Sequence, residues 1–259
     1  MGGATMTGTG TNTKLIDIIP GQIRCETCRL QRLCPIARTG SSALREIVEH
    51  PQPLRYGHHL YRSDEPGHGV YVVRSGVVKT YTLSDAGDEC VTGFHLPGAV
   101  LGLECLGAGR CSNSAQALET TSICAIPRRE LEACAQRSPG LLSQLMKLMS
   151  GEILRSERSV LLLTRRTAEE RVAAFLLDLS RGFEQLGYSP SEYLLAMSRL
   201  EIANYLGLAV ETVSRVLSRF QERGVIHVDH RRVHLRDAAL LGLGLAAYGP
   251  EQAVRAQPA

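Results

Sequence analysis

Hydrophobic and polar positions change rhythm along this chain. Between about Leu54 and Pro127 the apolar runs are short or alternating: Val70 to Val73, Val77 to Leu83, Cys90 to Phe94, Ala115 to Leu118 and Ser122 to Ile126. Glycine-bearing turns separate them, which predicts an antiparallel sandwich or jelly-roll-like β-roll. At Arg128 the period lengthens to that of a helix. A short helix is expected over Arg129 to Gln136, then a long one from Ser138-Pro139, where proline's missing N–H does no harm in the first turn. Leu142, Met146, Met149, Ile153, Ser156, Val160 and Leu163 recur at alternating intervals of four and three. That is a coiled-coil seam, interrupted by Ser156. A stripe so narrow predicts pairing with a second copy rather than packing on the chain's own β domain.

The last third is helical, then extended. Thr167-Ala-Glu-Glu170 reads as a capping box opening a helix over Arg171 to Gly182, with a loop from Gly187 to Glu192 after it. Ser198-Arg-Leu-Glu201 is a second box, opening Leu200 to Leu206. Gly207 ends that helix, Val210 to Phe220 forms the next, and Gly224 stops it. Val225 to Leu235 predicts two strands around a tight turn. Helix, glycine turn, helix and hairpin make a winged helix-turn-helix. Near the other end, Ser41 and Ser42 are expected to cap a helix over Ala43 to Glu49, and the Gly/Thr-rich residues 1–22 to be disordered. The expected class is α+β. Its divisions are a leader (1–22), a cysteine segment (23–40), a β-roll sensor domain (41–137), a dimerisation helix (138–166), a winged helix-turn-helix (167–247) and a tail (248–259).

The formal charge of +3 is too weak to identify a nucleic-acid partner by itself. Its placement says more: between residues 215 and 236 there are six arginines and two acids. On the helix opened by Val210, the residues Glu211, Ser214, Arg215 and Ser218 share the face away from Val213, Val216, Leu217 and Phe220. Arg219 follows Arg215 on the same face. Arginine can grip guanine with two bonds, glutamate can accept from cytosine, and serine serves either. Arg231 and Arg232 in the hairpin would hold phosphates. His227, His230 and His234 lack a carboxylate or thiolate to complete a metal set and read as polar wing residues.

Eight cysteines without a signal peptide point to a reducing cytosol and no disulfide framework. No apolar run is long enough to span a bilayer. Three of the cysteines form Cys25-x2-Cys28-x5-Cys34-Pro35, ahead of any convincing element. Crowded thiols in a polar leader predict a metal centre. Spacing alone leaves Cys90, Cys105, Cys111, Cys124 and Cys134 open as the fourth ligand. Structural zinc usually pairs two knuckles, whereas Cys-Pro after a tight thiolate run suits iron–sulfur, with zinc as the alternative. The chain contains no G-x-S-x-G, H-E-x-x-H or P-loop run and lacks the C-x3-C-x2-C spacing of radical chemistry, so no enzyme is expected.

Ile202-Ala-Asn-Tyr-Leu-Gly-Leu208, followed by Glu211-Thr-Val-Ser-Arg215, resembles the helix-turn-helix of the CRP/FNR family of bacterial transcription regulators. Gly93-Phe-His-Leu96, Gln116-Ala-Leu-Glu119, Leu148 to Ile153 and Ala168-Glu-Glu-Arg171 resemble its FNR branch, oxygen-responsive regulators of anaerobic metabolism. The likeness runs from about residue 20 to 236. It implies a 4Fe–4S cluster on Cys25, Cys28, Cys34 and Cys124, the last within Glu119 to Pro127. It implies a cytoplasmic homodimer while that cluster is intact, a TTGAT-N4-ATCAA palindrome in double-stranded DNA, and RNA polymerase as a partner. Oxygen would remove the cluster and weaken the dimer. Cyclic-nucleotide-binding relatives hold the phosphate with an Arg-Ser pair; here the stretch reads Asn113-Ser114-Ala115, so no cyclic nucleotide is expected, and a CRP-type regulator gated by a small ligand, a cyclic nucleotide included, is the alternative. Regulators of this branch often carry an acid where Ser156 stands, which implies a dimer held more readily in air. Cys111 is expected in a partly exposed loop and not as a ligand.

Overall fold

The computed structural model describes residue 25, residues 28–38 and residues 42–243. The expected leader, tail and Ser41 cap lie outside them. Two short helices come first, α1 (Pro35–Arg38) and α2 (Ser42–Glu46). The second stops three residues before the predicted end, Glu49. The reason is that Glu49 leaves the helix to bridge antiparallel with Ala125, exchanging backbone bonds of 2.8 and 2.9 Å.

The roll follows: β1 (His59–Tyr61), β2 (Gly69–Ser75), β3 (Val78–Leu83), β4 (Glu89–His95), β5 (Val100–Leu101), α3 (Leu103–Ala108), β6 (Ser114–Ala117) and β7 (Ser122–Pro127). The strands make two sheets, ordered β1-β6-β3-β4 and β5-β2-β7. Tyr71 and Val73 of β2 face the core between the sheets with Val78, Ala115 and Ile123. Val70 and Val72 face the other way, onto Leu44, Ile126, Leu131 and Leu141. A strand covered on both faces is why Val70 to Val73 reads as a continuous apolar run. The short strands β1 and β5 escaped the pattern, and so did α3, because the glycines around it read as turns.

Two helices stack on the second sheet, α4 (Arg128–Arg137) and α5 (Pro139–Arg165), the latter with proline at its first turn. At 27 residues α5 is about 40 Å long. Then come α6 (Ala168–Gln185), β8 (Glu192–Leu194), α7 (Arg199–Leu206), α8 (Val210–Glu222), β9 (Ile226–Asp229), β10 (Arg232–Leu235) and α9 (Ala238–Leu243). Both predicted capping boxes form: Thr167 with Glu170, and Ser198 with Glu201. Gly207 takes the left-handed conformation, φ 61°, that lets the chain turn sharply from α7 into α8. The predicted hairpin is the β9–β10 pair. The stretch Gly187 to Glu192, expected as a loop, leads into β8, which adds a third strand in the order β8-β10-β9.

The core of this C-terminal unit reaches back into the roll, because Val77 and Leu118 are buried in it and Phe94 and Leu96 pack against it. Phe94 meets Phe175 and Tyr205 edge-on, with ring centroids 6.0 and 5.3 Å away.

Candidate metal centre and nucleic-acid interface

The cysteine segment folds through consecutive backbone turns. Gln31 N–H donates to Cys28 C=O at 3.0 Å, Leu33 N–H to Leu30 C=O at 2.9 Å, and Cys34 N–H to Leu30 C=O at 2.6 Å. Leu30 is buried and anchors the turns. Cys124 lies in β7 opposite Val72 of β2, on the outer face of the sheet with Ile126. One cavity is lined by Cys25, Cys28, Cys34 and Cys124, together with Gln31, Ala37, Val48, His50 and Arg74. It holds about 370 Å³ of empty space, including open solvent. Among the described residues, no three His, Cys, Asp or Glu groups are gathered as for one ion.

The cavity is electrostatically uneven. Burial pushes the Cys124 thiol up to about 12; the Arg74 guanidinium pulls it the other way, and Cys34, Cys25 and Cys28 add to the rise. Near neutral pH this sulfur is a thiol, and a metal must displace its proton to bind it. His50 Nδ1 stands 3.5 Å from Cys124 Sγ. Neither His50 nor Arg74 was singled out in the sequence, since each comes to the cavity from a distant segment with no motif around it.

The remaining cysteines depart from expectation. Cys105, in the first turn of α3, and Cys111, three residues past the end of that helix, form a disulfide with Cα atoms 4.4 Å apart. No disulfide framework was expected, and this single bond takes Cys105 and Cys111 out of the set of free thiols; the partly exposed setting expected for Cys111 is overturned, since it is buried. Bonded to Cys105, its sulfur is not free to ligate. Cys134 is a buried free thiol, and Cys90 an exposed one.

On α8 the apolar face formed by Val213, Val216, Leu217 and Phe220 is buried. Glu211, Ser214, Arg215, Ser218 and Arg219 are exposed, and Val210 is half-buried at the start. Three of the four predicted arginines already hold partners within the chain. Arg219 pairs with Glu169 at 2.6 Å, and Arg232 with Glu192 at 3.1 Å. Arg231 donates to the Ala196 carbonyl at 3.0 Å. Arg223 also meets Glu169, at 3.2 Å, so one acid on α6 gathers two bases at the end of α8. Arg215 faces outward, with long contacts to Glu211 O and Thr212 Oγ1 on its own helix. His227, His230 and His234 are exposed on the hairpin.

Along α5 two apolar faces separate. Leu141 is buried, and Leu145 and Leu148 pack with it against the roll. The predicted seam lies elsewhere: Met146, Ile153 and Val160 are 59, 60 and 59% exposed, and Leu142 and Met149 are also exposed. Ser156 is exposed and Leu163 half-buried. The stripe that covers the roll is therefore distinct from the seam. In the roll, Ser114 Oγ accepts from Ser63 N–H at 3.0 Å, and Asn113 Oδ1 is buried without a partner among the described residues. No described helix is long and apolar enough to cross a membrane.

Comparison with known proteins matches this architecture. Residues 170–242 match the Crp-like helix-turn-helix domain, and residues 51–138 the cyclic nucleotide-binding domain. The chain is 47% identical over 220 residues to the transcriptional activator protein Anr of Pseudomonas aeruginosa, covering 84% of this chain and 90% of that one. It is 41% identical over 218 residues to the fumarate and nitrate reduction regulatory protein of Escherichia coli K12, covering 83 and 87%. The solved structure of FixK2 from Bradyrhizobium japonicum superposes with a TM-score of 0.68 at 36% identity, covering 73% of this chain and 93% of that one. These relatives are regulators rather than enzymes, and the reader built by α7, α8 and the β9–β10 hairpin is the unit by which such proteins bind DNA. The chain belongs to the CRP/FNR family of transcription regulators, among the FNR and Anr proteins.

Proposed function

We propose that this regulator senses oxygen through a 4Fe–4S cluster held by Cys25, Cys28, Cys34 and Cys124, and that the cluster controls pairing of two copies on DNA. The observation that carries the reading is the convergence of these four thiols on one cavity whose wall belongs to the core under α5. Cys34, Val48 and Cys124 pack into the same apolar cluster as Leu141, Leu145 and Leu148. Four thiols around a cavity suit a cluster, which needs its ligands on several sides. Arg74 supplies a cation beside a group that gathers negative charge. When bound, the cluster supplies an oxygen-labile crosslink between the cysteine segment and β7.

The rest follows from the chain's own residues. Tying Cys25, Cys28 and Cys34 to Cys124 orders the segment against the roll, because ligand bonds made only in the folded state are folding energy. The ordered segment completes the apolar cluster that seats Leu141, Leu145 and Leu148. With α5 so seated, its outer face of Leu142, Met146, Met149, Ile153, Ser156, Val160 and Leu163 is presented to a partner helix. The pair then offers two copies of α8 about 34 Å apart, one helical turn of DNA. Val210, Glu211, Ser214, Arg215, Ser218 and Arg219 would read a TTGAT-N4-ATCAA-type palindrome, and Arg231 and Arg232 would hold its backbone. Arg219, Arg231 and Arg232 would exchange their internal partners for phosphates or bases. A lone copy makes half the phosphate contacts, so affinity falls steeply on dissociation, and more so as salt rises. Residues 23–40, 41–137, 138–166 and 167–247 act as cluster segment, roll, pairing helix and reader. The site of action is the cytoplasm, with RNA polymerase as partner and no cyclic nucleotide as effector. Purification without air tests the reading: brown protein containing iron and acid-labile sulfide supports it, and colourless protein, with zinc or without metal, contradicts it.

A further inference from the structure

Lys79 lies within β3, yet it is only 4% exposed. It is tolerated there because two carboxylates meet it, Glu89 at 2.8 Å and Glu201 at 3.2 Å. Burial works against its charge, but these two acids outweigh it and hold Lys79 above the ordinary lysine value. Glu89 belongs to the roll, in β4. Glu201 belongs to α7, the first helix of the helix-turn-helix. The other oxygen of Glu201 accepts from the Ser198 N–H at 2.8 Å and its hydroxyl at 2.9 Å, closing the capping box of α7. One carboxylate thus fixes the start of α7 and ties it to the roll. One turn further on, Asn204 Oδ1 accepts from Val91 N–H at 2.7 Å, and its Nδ2 donates to Glu89 C=O at 2.6 Å. Leu96 enters a notch at Gly182 of α6, where a Cβ would stand 2.6 Å from its Cδ1. Exposed ion pairs contribute little, whereas removing one partner of a buried pair leaves an uncompensated charge.

We propose that Lys79 is a positioning residue for DNA recognition: from the roll it fixes the tilt of the α7–α8 reader, and so the separation of the two recognition helices in a dimer. Two helices that enter successive turns of the major groove cannot tolerate independent tilts. Loosening the Lys79 clamp should therefore erode discrimination of half-site spacing before it weakens contact with a single half-site. This inference rests on the dimeric reading above.

The test uses full-length protein purified without air, bound to palindromic duplexes whose half-sites are separated by the expected spacer or by one base pair more or less. Lys79→Met removes the buried cation. Asn204→Ala loosens the same contact while leaving the ion pairs in place, which keeps the test valid should Lys79→Met fail to fold. Both variants should lose about tenfold of the wild-type preference for the correct spacer, while binding to an isolated half-site barely changes. Folded variants that keep the full spacer preference overturn the inference. So does a uniform loss of affinity on every duplex, which would mean a role in stability alone. A wild-type protein with no spacer preference would instead sink the dimeric reading, and this inference with it.

Discussion

Cys124 differs from the other thiols of the roll in its surroundings as well as in the family-like segment around it. It faces the cavity beside His50 and Arg74, while Cys111 is spent in a bond with Cys105. Cys124→Ser should abolish iron–sulfur absorbance and sulfide content, and Cys111→Ser should retain both; the reverse outcome would move the fourth ligand. The sequence made the three leading cysteines legible because a tight thiolate run has few packing explanations. Spacing left the fourth open, because a lone cysteine in a strand looks like a small apolar residue, and only the family resemblance of Glu119 to Pro127 pointed to Cys124. The disulfide was not legible at all, since it depends on the left-handed turn at Gly109 bringing Cys111 back beside Cys105 of α3. On the DNA side, Arg215 and Arg232 should behave differently. Arg215→Ala should cost about 1–3 kcal/mol and relax the choice of one base pair. Arg232→Ala should weaken all sequences alike and lower the salt slope by about one. Binding isotherms at several salt concentrations, on cognate and altered duplexes, separate the two.

Among the elements, α5 was the best predicted and remains the most informative. Its periodicity carried two superposed stripes, and the pattern identified the one that faces away from the roll. The second, Leu141, Leu145 and Leu148, one residue earlier in phase, emerged only when the roll supplied something to pack against. Strands β1 and β5 were illegible for the opposite reason, being too short to carry a period. At Ser156 the seam gains neither apolar area nor charge repulsion. Stripped of iron, the protein should therefore retain measurable pairing in air at micromolar concentration, and a clean monomer in sedimentation would count against this. Ser156→Leu should tighten pairing at least about tenfold by burying an added leucine, and Ile153→Glu should abolish it. Unchanged association in both would mean that the dimer forms elsewhere.

At the scale of the whole molecule, three cores run from the thiol cavity through the roll to the helix-turn-helix. The apolar cluster under α5 includes Cys34 and Cys124 at one edge and Leu141, Leu145 and Leu148 at the other. The core between the sheets stiffens the roll, and the reader's core takes in Val77, Leu118, Phe94 and Leu96 from that same roll. Alternating strands, capping boxes and the glycine turn at Gly207 made the architecture readable, because each is a local signal. The joint between roll and reader was not readable, since Lys79 and Glu89 are far in sequence from Glu201 and Asn204 and no local signal pairs them. With the reader held to the roll in this way, the proposed signal would act chiefly through α5 pairing. The most direct test is the dimer dissociation constant measured by sedimentation, without air, on the same preparation before and after iron is removed. The account predicts tight dimers when loaded and markedly weaker association when stripped; an equal constant in the two states would contradict it.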